Sequence, residues 1–169
     1  MHFIRLSIII LAVSIAGAAN AAIWFFNDPV DESQVVPPTG SPATGTAFGT
    51  YNDVTNMLHI EVTAMGFDQF YPPTSAHIHM APFGVNGGVF HVLGVAGGFN
   101  DYTNPNEDFV LTSAREADFL AGRYYVQIHT GTFPLGAIRG QLHPVPEPAS
   151  LIALGAGALL LARRRRRKA

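Results

Sequence analysis

Between Asn56 and Met65 the apolar side chains fall on every second residue. Leu58, Ile60, Val62 and Ala64 share one side of an extended chain, and His59, Glu61 and Thr63 share the other. A period of two marks a half-buried β-strand, and here it recurs. Ala76, Ile78 and Met80 oppose His77 and His79. Within Gly88–Leu93, Phe90 and Val92 oppose His91, and within Arg123–Thr130, Tyr124, Val126 and Ile128 oppose Tyr125, Gln127 and His129. Two weaker segments complete the set. Ala43–Tyr51 precedes the first strand through the turn signal Asn52-Asp53, and Ala137–His143 comes after a turn at Pro134–Gly136. Fourteen glycines between residues 22 and 144, with proline pairs at 37–38 and 72–73, punctuate these short runs. One helix is expected, with Ser113-x-x-Glu116 as capping box, Phe119 and Leu120 as apolar contacts and Gly122 as stop. The pattern predicts an all-β chain: a single Greek-key β-sandwich or barrel with one short helix over residues 43–144, after an extended lead-in at 22–42.

The two ends are of another kind. Residues 1–21 combine a basic start at Arg5, an apolar run from Leu6 to Ile15 and a small-residue stretch ending in Ala19-x-Ala21. That is the anatomy of a secretory signal peptide cleaved by signal peptidase just before Ala22. Residues 145–169 read Val145-Pro146-Glu147-Pro148, then an apolar segment over 149–162, then the basic run 163–168 of five arginines and a lysine. Fourteen apolar residues at 1.5 Å each reach about 21 Å, short of a bilayer core of roughly 30 Å. The segment therefore suits transient anchoring, with the arginines held on the cytoplasmic side.

This tail resembles the PEP-CTERM sorting signal of Gram-negative bacteria, with Pro146, Glu147 and Pro148 in the motif's place. The resemblance implies an exosortase, a membrane transpeptidase-like enzyme, as processing partner. It also implies a product at the cell surface, in the outer envelope or released, membrane-tethered before C-terminal processing.

Charge sharpens the function classes. Six of the ten basic residues sit in the final run, so between residues 22 and 144 only Arg115, Arg123 and Arg139 face eleven acidic residues. Such a surface does not suit nucleic acid. Without cysteine there is no disulfide, thiolate metal site or cysteine nucleophile. No phosphate-binding loop, dinucleotide pattern or Gly-x-Ser-x-Gly elbow occurs.

Three stretches of the middle resemble the CHRD domain, named from chordin and also found alone in secreted bacterial proteins. They are Gln34–Pro38 with Ala43–Thr46, Ala76-His-Ile-His79 with Gly84-Val-Asn-Gly87, and Gly122–Thr130 with Gly136–Leu142. Val35 and Ala137 stand where acidic residues are common. The resemblance implies an exported β domain and no agreed biochemical activity.

The histidines are the chemical constellation of this chain. His77 and His79 leave one face of a strand with Cβ atoms about 6–7 Å apart, and His129 leaves the outer face of another. Three imidazoles converging there could hold copper or zinc. The arrangement His77-x-His79, then His129, then Arg139 is similar to the copper side of Cu/Zn superoxide dismutase. That likeness implies His77, His79 and His129 as copper ligands and Arg139 as a guide for the anion. A His/Asp-rich zinc loop is missing, and His91 is the one candidate for a bridging ligand. Two other readings stay open on sequence alone: the three imidazoles pin Gly-rich loops by hydrogen bonds, or serve in acid–base catalysis. The expectation is thus a surface-sorted binding or structural module of the cell envelope or extracellular matrix, with matrix or polysaccharide as partner. The alternative is a copper-binding or superoxide dismutase-like metalloprotein.

Overall fold

The computed structural model describes residues 23–94, 100–104, 107–147 and 155–157. In chain order the strands are β1 (Ile23–Val30), β2 (Thr44–Asn52), β3 (Met57–Met65), β4 (Pro73–Met80), β5 (Gly88–Leu93), β6 (Asp101–Thr103) and β7 (Glu107–Val110). Helix α1 (Ser113–Leu120) precedes β8 (Tyr124–Thr130), β9 (Ile138–Gln141) and β10 (Val145–Pro146). They form two antiparallel sheets. The first runs β10-β1-β2-β3, with β6 and β7 sharing the far side of β3, and the second runs β5-β4-β8-β9. This is an all-β sandwich with one short helix.

Alternation explains which side chains meet between the sheets. Leu58, Ile60 and Val62 from β3 and Ala76, Ile78, Val126 and Ile128 from β4 and β8 are wholly buried. The β2–β3 turn is closed by its own polar groups. Asn52 Oδ1 accepts the Val54 and Thr55 N–H groups, and the Tyr51 hydroxyl donates to Asn56, which carries a φ of 55°. Asparagine tolerates that left-handed conformation better than most residues. Phe119 of α1 plugs the sandwich, its ring edge-on to Phe26 at 5.9 Å and Tyr51 at 5.3 Å.

Three expectations are corrected. The helix starts after Thr112, not with Ser113 as cap, and Thr112 makes no side-chain capping bond. Its C=O instead receives the Arg115 and Glu116 N–H groups, so backbone alone starts the helix. The lead-in is not separate from the domain, because residues 23–30 pair with β2 along the whole of β1. Nor does the domain stop at 144, since Val145 and Pro146 extend the first sheet.

Residues 31–42, the segment between β1 and β2, position the site. They cross to the outer face of the second sheet and are fastened there. Asp31 and Arg139 exchange backbone hydrogen bonds, the Gln141 N–H donates to Gln34 Oε1, the Asn86 amide donates to the Val36 carbonyl, and the Thr39 hydroxyl donates to that of Ala137. The outer face of β8 is consequently buried from end to end.

Candidate metal centre

Strand β4 delivers His77 and His79 to the outer face of the second sheet, because residues two apart share a face. In the β4–β8 ladder His77 lies opposite Gln127, His79 opposite Tyr125 and Ser75 opposite His129. His129 is therefore one diagonal step from His77, within reach of a long side chain. The three expected ligands converge: one ring nitrogen from each lies within 4.8 Å of the others. Ring centroids are 4.8 Å apart for His77 and His129, 5.6 Å for His77 and His79, and 6.0 Å for His79 and His129.

Hydrogen bonds assign the tautomers. His79 Nδ1–H donates to the Gly87 carbonyl and His129 Nδ1–H to the Pro134 carbonyl, each at 3.0 Å. The Nε2 atom of each must then carry a lone pair. His79 Nε2 is buried and has no hydrogen-bond partner. His129 Nε2 accepts from His77 Nδ1 at 3.0 Å. Carbonyls that fix the far nitrogen of an imidazole are the usual means of aiming its other nitrogen at a metal. Here they come from the β4–β5 and β8–β9 loops, so the same hydrogen bonds hold these loops and orient the two rings.

Electrostatics keeps these rings neutral. Burial pushes the pKa of His77, His79 and His129 below the ordinary 6.5, and the histidines' mutual repulsion adds to it for His79 and His129. Neutral imidazole is the form that binds a metal. The expected open surface is not what is found, because His79 and His129 are only 7% and 9% exposed. They line a cavity of about 560 Å³ walled by Val36, Pro37, Pro38, Phe133 and Leu135. His77 is partly exposed. A larger cleft, about 730 Å³, lies on the first sheet among Phe25, Phe48 and Val145 and contains none of the three.

Arg139 is in a different position from the one the anion-guiding role requires. It is wholly buried, its guanidinium 3.6 Å from the centre of the Tyr125 ring. It donates to the carbonyls of Val85 and Pro82 and to Gln141 Oε1. A cation with no face to solvent ties the β4–β5 loop to β9 and does not meet an incoming anion. His91, the one candidate bridge, is also elsewhere, bonded to Glu107 at 2.8 Å. His59 and His143 pair with Asp108 and Asp28.

Sequence reasoning missed the supports. Tyr125 stacks on His79 at 5.0 Å with the rings 11° from parallel, and its hydroxyl accepts the Gly87 N–H. Gln141 is buried and donates to the carbonyls of Ala81 and Gly122. The paired tyrosines at 124 and 125 carried a signal: on a strand they must face opposite ways, so two buried tyrosines mean that both faces are covered.

The signal-cleavage residues Ala19 and Ala21 lie outside the described residues, as do Pro148, the basic run and, apart from 155–157, the apolar segment. Pro146 and Glu147 are described, and the Glu147 N–H donates to the Ile23 carbonyl at 2.9 Å. Among the described residues no helix is long and apolar enough to cross a membrane.

Comparison with known proteins accounts for both parts of the chain. No curated protein and no solved structure matches it. The model of the PEP-CTERM protein-sorting motif matches residues 144–167, which marks an exported, exosortase-processed, membrane-associated protein of Gram-negative bacteria. The CHRD domain model matches residues 26–142, from within β1 to just beyond β9. Spanning as it does both sheets and all three histidines, that match places the chain in the CHRD domain family.

Proposed function

We propose that this protein, once sorted to the cell surface or outer envelope, acts there as a binding module of the envelope or matrix whose own chemistry is to hold a transition metal ion. Copper is the first choice. The observation that carries the reading is the convergence of three imidazole nitrogens within 4.8 Å, two of the rings being aimed by backbone carbonyls. An unpaired buried nitrogen such as His79 Nε2 costs stability unless something binds it. A metal at 2.0–2.1 Å from each nitrogen supplies the missing partner. Binding needs His77 to move its proton from Nδ1 to Nε2, freeing Nδ1 and releasing His129 Nε2 from their shared hydrogen bond. An all-nitrogen set suits copper and zinc, and copper binds such sets more tightly.

The test is a copper titration of the purified exported protein. One equivalent of Cu²⁺ should bind with a nitrogen-rich paramagnetic spectrum. Altering a group that only orients a ligand costs about 10–100-fold in affinity. His79→Ala or His129→Ala removes a ligand outright and should cost more than about a hundredfold. His59→Ala, whose ring is held by Asp108, should leave binding unchanged. Equal affinity in all four proteins would refute the site.

A further inference from the structure

Pro146 and Glu147 of the sorting motif are held against the sandwich. Trp24 lies opposite Pro146 and Phe25 opposite Val145, and the Glu147 N–H donates to the Ile23 carbonyl. In an antiparallel ladder hydrogen-bonded and non-bonded pairs alternate. Ile23 with Glu147 is a bonded pair, so Trp24 with Pro146 is non-bonded and Phe25 with Val145 is bonded. Pro146 therefore turns its donor-less nitrogen away from β1, the only orientation in which proline suits an edge strand. Pro148 comes two residues later in the sequence. The Pro-x-Pro spacing leaves the N–H of Glu147 on the side that β1 occupies.

A second fastening lies one step inward. The Asp28 carboxylate, only 8% exposed, accepts both the backbone N–H of His143 at 2.8 Å and its Nδ1–H at 2.9 Å. The chain is thereby anchored just before β10. The expected signal-peptide cleavage residue Ala21 lies two positions before Ile23, so both processing events concern one edge of one sheet.

Enzymes that cut or transfer peptides take an extended segment and hydrogen-bond its backbone as an added strand. Strand β10 cannot offer its donor side to an enzyme while β1 holds it. We propose that β10 is a clasp: pairing of Val145–Glu147 with Ile23–Phe25 shields the sorting motif, and the exosortase acts on chains whose clasp is open. This rests on the sorting reading of the tail. Folding of the domain then opposes removal of its tail, and opening of a few edge hydrogen bonds sets the processing rate. Such fraying is local and does not require unfolding of the sandwich.

The experiment monitors tail removal of the full-length chain in an exosortase-producing host, by the mass of the exported product. The double variant Phe25→Cys with Val145→Cys introduces the only two cysteines of the chain. Directly opposed bonded pairs have Cα atoms about 5.5 Å apart, which a disulfide spans. In the oxidising periplasm the pair should lock the clasp and slow processing by about tenfold or more, because a covalent closure no longer frays. Added dithiothreitol should restore the parental rate, and each single cysteine variant should behave like the parent. Asp28→Ala, which removes the inner fastening, should speed processing. A cross-linked protein, shown as such by its non-reduced mobility, that is processed at the parental rate overturns the clasp. Should the parent itself keep its tail in this host, the sorting reading fails first and the clasp with it.

Discussion

His59, His91 and His143 each have a carboxylate within hydrogen-bond distance, whereas among the described residues His77, His79 and His129 have only carbonyls, Tyr125 and one another. The contrast is chemical. Burial in a cluster of imidazoles with Arg139 nearby disfavours imidazolium at His79. The direction of the shift fixes a pH dependence. With folded-state pKa values lowered below the unfolded 6.5, these groups are neutral in both states at pH 8 and impose no proton-linked cost. As pH falls through 6.5 the unfolded chain takes up protons that the folded protein refuses, so stability is lost. The melting temperature of the metal-free protein should thus fall between pH 7 and pH 5. The slope for each histidine is at most about 1.4 kcal/mol per pH unit. His129→Gln should flatten that decline, and a parent whose melting temperature is level across this window would contradict neutral burial.

At the scale of elements, α1 matters for one side chain. Phe119 is fully buried and touches Phe26, Tyr51 and Tyr124. Phe119→Ala should cost about 3–5 kcal/mol, measured by denaturant unfolding, because the cavity joins both sheets and neither closes on it easily. A loss below about 1 kcal/mol would mean that the helix only decorates the sandwich. Strand β3 alternates strictly and was legible from its own residues, whereas in β5 the expected pairing of Phe90 with Val92 on one face fails. A register shift opposite Ile78 and His79 puts His91 across from the inward Ile78 and leaves Val92 exposed across from His77. Strand β1 was not legible: Trp24-Phe-Phe26 lacks alternation, and Pro29 reads as a breaker, although on an edge-facing position it is tolerated. Strand β10 was illegible for a different reason. Two residues around a proline carry no periodicity, and their pairing depends on β1, over a hundred residues away. The short β6 and β7 were hidden likewise, each pairing with part of β3. The histidine cluster was readable, because a shared face can be inferred from spacing alone. Its burial was not, since the roof is made by residues 31–42, whose contacts with Arg139, Gln141 and Ala137 join segments far apart in the chain. The burial of Arg139 has that same roof as its cause.

For the whole molecule, address and chemistry divide along the chain. The tail carries the sorting motif, and the sandwich carries acidic charge, a covered second sheet and a nitrogen-lined site beneath a proline-rich roof. A protein delivered outside the cytoplasm meets metal ions without cytosolic thiols to compete for them, and a cysteine-free histidine site is suited to that setting. The measurement closest to this claim is a crystal structure of the copper-loaded protein with diffraction recorded on both sides of the copper absorption edge. One anomalous peak is expected about 2.0–2.1 Å from His77 Nδ1, His79 Nε2 and His129 Nε2, with the Gly87 and Pro134 carbonyls still holding the far nitrogens. Copper found only elsewhere, with the hydrogen bond between His77 and His129 intact, would contradict it.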